Sequence, residues 1–543
     1  MKFNHTYLLV QLTIGLVIFN GTISGQTNFV KEFDLIPKTP EASAIIAYQD
    51  QPVNMYTGRA MINLPIGEIS TGNLSDNISI SYQTGGNKVN QIAEFVGLGW
   101  SLNAGSTITR KINGLPDEYK YDDLDVKGFL FLKDEYTYED LVSPSFNYNW
   151  PSDPSNEFYD KLAYGCYDAE PDEFYFKIGE FSGKFLFDWD GQIVVISESD
   201  VKVELSGLLL GEEGYSFQNW ILTDPFGNKY IFNTGDTELT ENMSSNISIG
   251  CGLATSRLSF TSSWKVSEIN SYNNIDLFYY NYEDYFYQQS WNGFETRTFR
   301  LSTGSNCSGS YSGDANFSQN SSKIYGKRLS RIQSNDGEYI DFNYLVDRTD
   351  ISGLLEFNNF KRLESIDFGR GNYPYKSVEF QYLENSSRLM LESYYEVGND
   401  GVSTPPYSFS YHSTFFPSIN SQSVDWWGFH NGSTGVSLVP EGYYLSAAGN
   451  YVRVYGRDRS PVYQKTLSGM LQSYTIPTGG RIEYEYEQNE FSHINGDNSN
   501  LEEFILIDAG TQVNGVGDPD EPNVMQERSV DFEITESQQV SLR

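Results

Sequence analysis

Catalysis needs a nucleophile, an acid–base pair or a set of metal donors within reach of one another, and this chain supplies few such residues. It has four histidines, His5, His412, His430 and His493. They are far apart, with no HExxH run and no His-x-His pair, so their spacing offers neither a zinc site nor a Ser-His-Asp relay. No Gly-x-Ser-x-Gly elbow, Walker loop or dinucleotide fingerprint appears, so no cofactor is expected. Asp188-Trp189-Asp190-Gly191 and Tyr121-Asp122-Asp123-Leu124-Asp125 carry oxygen donors suited to calcium. Neither completes an EF-hand spacing, and both read as solvated turns. Glu483 and Glu485 alternate with aromatics along one strand, about 7 Å apart by strand rise, which fits a solvated surface row better than a hydrolase's acid/base pair. Trp426-Trp427, followed by Phe429, His430 and Asn431, could form an aromatic platform for a glycan. On a strand the two indoles point to opposite faces, so core packing is the expected use. Cys166, Cys251 and Cys307 are the only cysteines. Without a CxxC pair they exclude a cysteine zinc module. One bridge is expected between Cys251 and Cys307, both in loop-like sequence, which leaves Cys166 free.

The elements that position these residues are strands. Aromatics make up 15% of the chain, with 40 Tyr and 35 Phe, and 48 glycines punctuate it, a composition that favours pleated, half-buried surfaces. Strict alternation is written at Asn77-Ile78-Ser79-Ile80-Ser81-Tyr82, at Lys184-Phe185-Leu186-Phe187-Asp188, and from Arg481 through Ile482, Tyr484 and Tyr486 to Glu487. No comparable helical window with caps appears apart from a short stretch at 138–141. Five hairpin units follow from the turn residues. They span 220–232 around Asp224-Pro225-Phe226-Gly227-Asn228, 264–280 around Tyr272-Asn273-Asn274, 328–344 around Asn335-Asp336-Gly337, 362–382 around 369–373, and 470–486 around Pro477-Thr478-Gly479-Gly480. Their uneven spacing predicts stacked hairpins with insertions, not a regular solenoid.

The first residues have the plan of a secretory leader: Lys2, an apolar run over 7–19, then small polar residues up to Gln26. The run is shorter than the roughly 20 residues a membrane helix requires, so cleavage near Gly25 and export to the medium or cell surface are expected, with no transmembrane helix after the leader. The balance of 36 basic against 72 acidic residues, net −36, opposes nucleic acid or anionic lipid as a partner. Asn-x-Ser sequons at Asn77, Asn246, Asn316 and Asn385 would accept glycans only in a eukaryotic secretory route. The organisation expected is a signal peptide (1–25), a lead-in segment (26–47), an N-terminal β region (48–116), an acidic aromatic insertion (117–170), a β-hairpin region (171–487), a loop or linker (488–528) and the start of a further, interrupted β segment (529–543).

Several segments carry a resemblance. They are Gln51-Pro52-Val53-Asn54-Met55-Tyr56-Thr57-Gly58, Ile62-Asn63-Leu64-Pro65-Ile66, and Val96-Gly97-Leu98-Gly99-Trp100-Ser101-Leu102-Asn103-Ala104-Gly105 followed by Ile108-Thr109-Arg110. Gly114-Leu115-Pro116-Asp117-Glu118, Glu170-Pro171-Asp172, Phe181-Ser182-Gly183-Lys184-Phe185, Asp425-Trp426-Trp427-Gly428-Phe429-His430-Asn431-Gly432 and Gly469-Met470-Leu471 continue it. In this order, over about 51–487, the text resembles the N-terminal region of the exported Rhs/YD-repeat proteins of Bacteroidetes-type bacteria. The resemblance implies an all-β, curved shell of stacked antiparallel hairpins, with room for β-sandwich insertions. It also implies a non-enzymatic carrier role, in which downstream YD repeats enclose a C-terminal toxin or effector released by aspartyl self-cleavage. Asp224-Pro225 shares its dipeptide with that cleavage motif but sits between two strands, where a turn is the better reading. Gly97, Gly99 and Gly105 suit a strand bending over a large ring, or serve as turn and packing residues. The partners expected are therefore the repeat array and cargo of a longer parent protein. The alternative is a surface adhesin or glycan-binding β protein built from the same hairpins.

Overall fold

A computed structural model describes residues 53–488, apart from breaks at 55–57, 133–135, 137–154, 212–213, 245–257, 301–311, 352–355, 385, 414, 435–436, 440–441, 446–450 and 455. The leader, the lead-in segment, the terminal linker and β segment, Cys251, Cys307 and His493 lie outside the described residues. A first compact unit extends to Tyr484.

The fold is all-β and antiparallel, as the alternation predicts. A cover sheet contains Val53–Asn54, Arg59–Thr71, Leu74–Gln83 and Trp100–Asn103 in that order. Alternation sends Ile78, Ile80 and Tyr82 inward, each at most 3% exposed. The cover sheet lies on a larger assembly built around one long hairpin, Leu277–Arg300 with Ser312–Ser334.

Near its base this hairpin belongs to a main sheet. On one flank stand Glu268–Asn270, Lys229–Phe232, Trp220–Thr223 and Lys202–Leu205. On the other stand Glu338–Asn343, Ser365–Arg370, Tyr373–Tyr382, Leu391–Gly398, Tyr407–Tyr411, Leu471–Thr475 and Arg481–Glu483. Further along, the same hairpin joins a second sheet through Thr237–Ser244, Leu258–Lys265, Thr107–Lys111, Glu173–Ile178, Phe181–Phe187 and Ile193–Ser197. The ribbon that changes sheets bends at 233–236 and 266–267. There the Ser267 hydroxyl donates to Asp236 Oδ2 at 2.6 Å and accepts from the Asn233 amide at 3.1 Å.

One hydrophobic core runs through all three sheets. Phe174 of the second sheet stacks on Phe185 at 5.0 Å between centroids and meets Trp220 of the main sheet at 5.5 Å. The cover approaches closely enough that a Cβ on Gly67 would fall 2.5 Å from the Phe368 ring, and Lys376 Nζ donates to Ile66 O at 3.0 Å. All five expected hairpins form. Their turns place Gly227, Asn274, Gly337, Gly371 and Gly479 in the left-handed region, where only Gly and Asn are readily accommodated.

Two corrections concern the insertion. Ser155–Ala163 is a nine-residue helix that strand periodicity does not reveal. Its Phe158 is buried against Cys166 and Tyr167 in a small separate core. Cys166 is disulfide-bonded, so the expectation that it is the free thiol is overturned. Cysteine pairing is a tertiary fact that loop composition does not encode.

Candidate functional site

Among the described residues, no three of His, Cys, Asp or Glu converge to hold a metal ion. His430 is buried with Nδ1 3.2 Å from Ser423 O, and burial pushes its pKa below the usual value. Asp125 is engaged by Lys127, Lys161 and Tyr167, and these contacts hold its carboxyl well below the usual range despite the opposing effect of burial. Glu483 and Glu485 are exposed, and Glu483 pairs with Arg481 at 2.8 Å. A groove of about 570 Å³ on the main sheet is lined by Arg362, Glu364, Glu379, Gln381, Tyr382 and Tyr395. Within it Arg362 Nε meets Glu364 at 2.5 Å, and Tyr395 donates to Glu379 at 2.7 Å.

The sequence segments of interest converge instead on three other places. The first is the neck of the insertion. Arg110, from Thr107–Lys111, is fully buried over the rings of Phe174 and Phe217, 5.2 and 5.5 Å from their centroids. Its Nε donates to Asp172 Oδ2 at 2.8 Å and its Nη1 to Glu118 Oε1 at 2.7 Å. Asp117 and Asp172 clasp each other: the Asp117 amide donates to Asp172 Oδ2 at 3.1 Å, and the Asp172 amide to Asp117 Oδ1 at 3.0 Å. Asp168 takes the Leu115 amide at 2.7 Å. One guanidinium therefore faces three carboxylates, and Asp117 Oδ2 has no hydrogen-bond partner. Burial, reinforced by the Asp172 carboxylate and opposed by Arg110, pushes Asp117 up to about 8. Burial likewise pushes Asp168 up to about 6 and raises Asp172 against the pull of Arg110.

The second place is a strap, residues 84–99, lying across the main-sheet strands. Gly97, at φ +141°, would set a Cβ 3.1 Å from the Leu391 amide, so side-chain-free backbone is needed there. Trp100 is 1% exposed; its indole N–H donates to Tyr411 Oη at 3.0 Å and its ring meets Phe409 at 4.6 Å. Tyr82, the cross-strand neighbour of Trp100, accepts from the Leu471 amide at 2.9 Å, and a Cβ on Gly469 would fall 3.2 Å from Leu98, so the Gly-Leu-Gly-Trp segment and Gly469-Met470-Leu471 meet here. Two buried arginines hold the strap by its carbonyls: Arg348 Nη1 donates to Ala93 O at 2.8 Å and Arg388 Nη2 to Val89 O at 3.0 Å. Asp350 grips Arg348 with both oxygens, at 3.0 and 2.8 Å, and accepts the Leu389 amide at 2.9 Å.

The third is a family of turns. In Asp188-Trp-Asp-Gly-Gln192, Asp224-Pro-Phe-Gly-Asn228 and Asp425-Trp-Trp-Gly-Phe429, the aspartate's Oδ1 accepts two backbone amides at 2.8–3.0 Å. The fourth residue is a glycine at φ between +74° and +93°. Asp188 and Asp224 are thus the turn residues expected. The Trp pair corrects its expectation: Trp426 and Trp427 ride the turn at 54% and 59% exposure instead of packing in the core. Arg459 lies 4.9 Å from the Trp426 ring centroid and donates from Nη2 to Asp425 O at 2.7 Å. The signal that places these indoles outside is local, the shared Asp-x-x-Gly-x frame.

Compared with models of known protein families and with curated proteins, the chain matches none.

Proposed function

We propose that this chain is a non-enzymatic structural segment of an exported, Rhs/YD-repeat-like carrier, working together with sequence that lies beyond it. The observation that carries this reading is what the family-like segments do. Gly-Leu-Pro-Asp-Glu and Glu-Pro-Asp meet in the neck clasp at Asp117 and Asp172, while Gly-Leu-Gly-Trp and Gly-Met-Leu meet where Gly469 abuts Leu98 and where Tyr82, the cross-strand neighbour of Trp100, takes the Leu471 amide. Each is spent on backbone geometry and buried packing, which is what a scaffold requires. The test is the reading frame after Arg543. Continuation into tyrosine-aspartate repeats and a divergent terminal domain agrees with a carrier, and a stop codon there sinks it.

A second reading, a surface adhesin that binds glycan, is favoured by the exposed Trp426–Trp427 turn. Neutral sugars stack on indole faces without meeting charge repulsion from a chain of net −36. Binding to a neutral-glycan array that disappears in Trp426→Ala and Trp427→Ala supports the adhesin. Unchanged binding in both variants, or none in the parent, removes it.

A further inference from the structure

We propose that the Asp117–Asp172 clasp is a proton-operated latch: one proton, held on the Asp117 carboxyl, keeps the neck of the insertion closed, and its loss in alkali opens the neck. The geometry carries this. Asp117 and Asp172 are both 0% exposed and each caps the other's amide, so the two ends of the insertion are joined by two carboxyl–amide hydrogen bonds. Residues around the latch are ionisable mostly in one sense. Thr107–Lys111 contributes Arg110; the outgoing connection contributes Asp117 and Glu118; the returning connection contributes Asp168, Glu170 and Asp172. Gly214–Phe217 presents only the Tyr215 amide, to Glu118 O at 2.8 Å, and the Phe217 ring. The helix Phe129–Leu132 presents the Leu130 amide, to Asp117 O at 3.0 Å. Lys120 and Lys127, on the same connection, are engaged by Asp122 and Asp125.

Arg110 can neutralise one of its three carboxylates, and Glu118, at 13% side-chain exposure, still reaches solvent. Asp117 cannot. Its Oδ2 lacks any donor, and an ionised, unpartnered, buried oxygen is among the costliest groups a fold can carry. A proton on Oδ2 removes that charge and leaves Oδ1 free to keep the Asp172 amide. The sign follows. Burial, with the Asp172 carboxylate adding to it, lifts Asp117 to about 8 in the folded chain from an ordinary 3.8. Folding therefore takes up a proton between these values, and the latch weakens as pH rises through that window.

The test is hydrogen exchange on the whole chain at pH 6 and pH 9.5, corrected for intrinsic rates and followed at the amides of Asn113, Asp117 and Asp172. Protection should fall by about tenfold or more across the interval, the equivalent of one pKa unit of differential binding. In Asp117→Asn, which is neutral at every pH and keeps an acceptor for the Asp172 amide, the fall should shrink to less than about twofold on the same scale. Glu118→Gln removes a neighbouring negative charge from a partly exposed position, and should move the midpoint to lower pH. It serves as the decisive variant if Asp117→Asn does not fold. PH-independent protection in the parent overturns the latch, as does an unaltered fall in Asp117→Asn or an unmoved midpoint in Glu118→Gln.

Discussion

The strap and the neck both join distant stretches of chain through buried arginines, yet they balance charge in opposite ways. At the strap, Arg348 pairs with Asp350, whose charge also acts on Arg388, and the two guanidiniums donate to carbonyl oxygens of Ala93, Val89, Ser387 and Pro417, leaving Arg388 Nε without a partner. At the neck, among the described residues, Arg110 is alone against Asp117, Glu118 and Asp172. A surplus cation can be absorbed by carbonyls, which are plentiful wherever backbone is exposed within a core. A surplus carboxylate needs N–H donors, and at the neck Asp117 Oδ2 has none. The strap should behave as a permanent joint and the neck as a conditional one.

Removing each arginine sharpens that contrast. Arg110→Leu leaves the carboxylates without the cation that pairs with Glu118 and Asp172, and should cost about 3–5 kcal/mol at pH 8. The loss should shrink on acidification as the carboxyls take up protons. Urea denaturation at pH 5 and pH 8 measures both values; an equal loss at the two would mean the carboxylates do not repel one another through the cluster.

Arg388→Leu should do less, about 1–3 kcal/mol. Arg388 touches only carbonyls directly, and burial already pulls its guanidinium down to about 10, so the native state gives up part of its worth in desolvation. The same denaturation series should show little change in this loss between pH 5 and pH 8. A pH-dependent loss as large as that of Arg110→Leu would erase the distinction between the two joints.

The sequence made one kind of information available and withheld the other. Hairpins were readable because a tight turn is chosen largely by its own residues: Asn335-Asp336-Gly337 and Thr478-Gly479-Gly480 each supply a glycine for the left-handed position. The Trp426–Trp427 turn was equally local, yet alternation treated the indoles as strand residues while the Asp425 side chain was capping a turn beneath them. The frame it shares with Asp188 and Asp224 would have placed it correctly. The neck was not readable. Arg110 and Asp172 stand 62 residues apart, and each alone resembles an ordinary surface charge. Their burial depends on how the second sheet packs Phe174 against Phe217, 5.8 Å between centroids, which no local pattern records. The Cys166 bridge was hidden for the same reason.

The smallest expected effect is also the most discriminating, because it sets the two joints moving in opposite directions in one experiment. Asp350 is buried, which alone would raise its pKa. The two hydrogen bonds from Arg348 outweigh burial and hold it below the ordinary 3.8. In the unfolded chain it protonates near that ordinary value, so its stabilisation of the strap is complete above about pH 4 and is lost as pH falls through the folded value. The Leu389 amide, bonded to Asp350 Oδ2 at 2.9 Å, reports it. The Asn113 amide, bonded to Asp172 Oδ1 at 2.8 Å, reports the neck. From pH 6 downward, Leu389 protection should fall a few-fold while Asn113 protection holds or rises; from pH 6 upward, Asn113 should fall while Leu389 holds. Two amides that rise and fall together would mean that both report global unfolding, and that the strap and the neck are one cooperative joint.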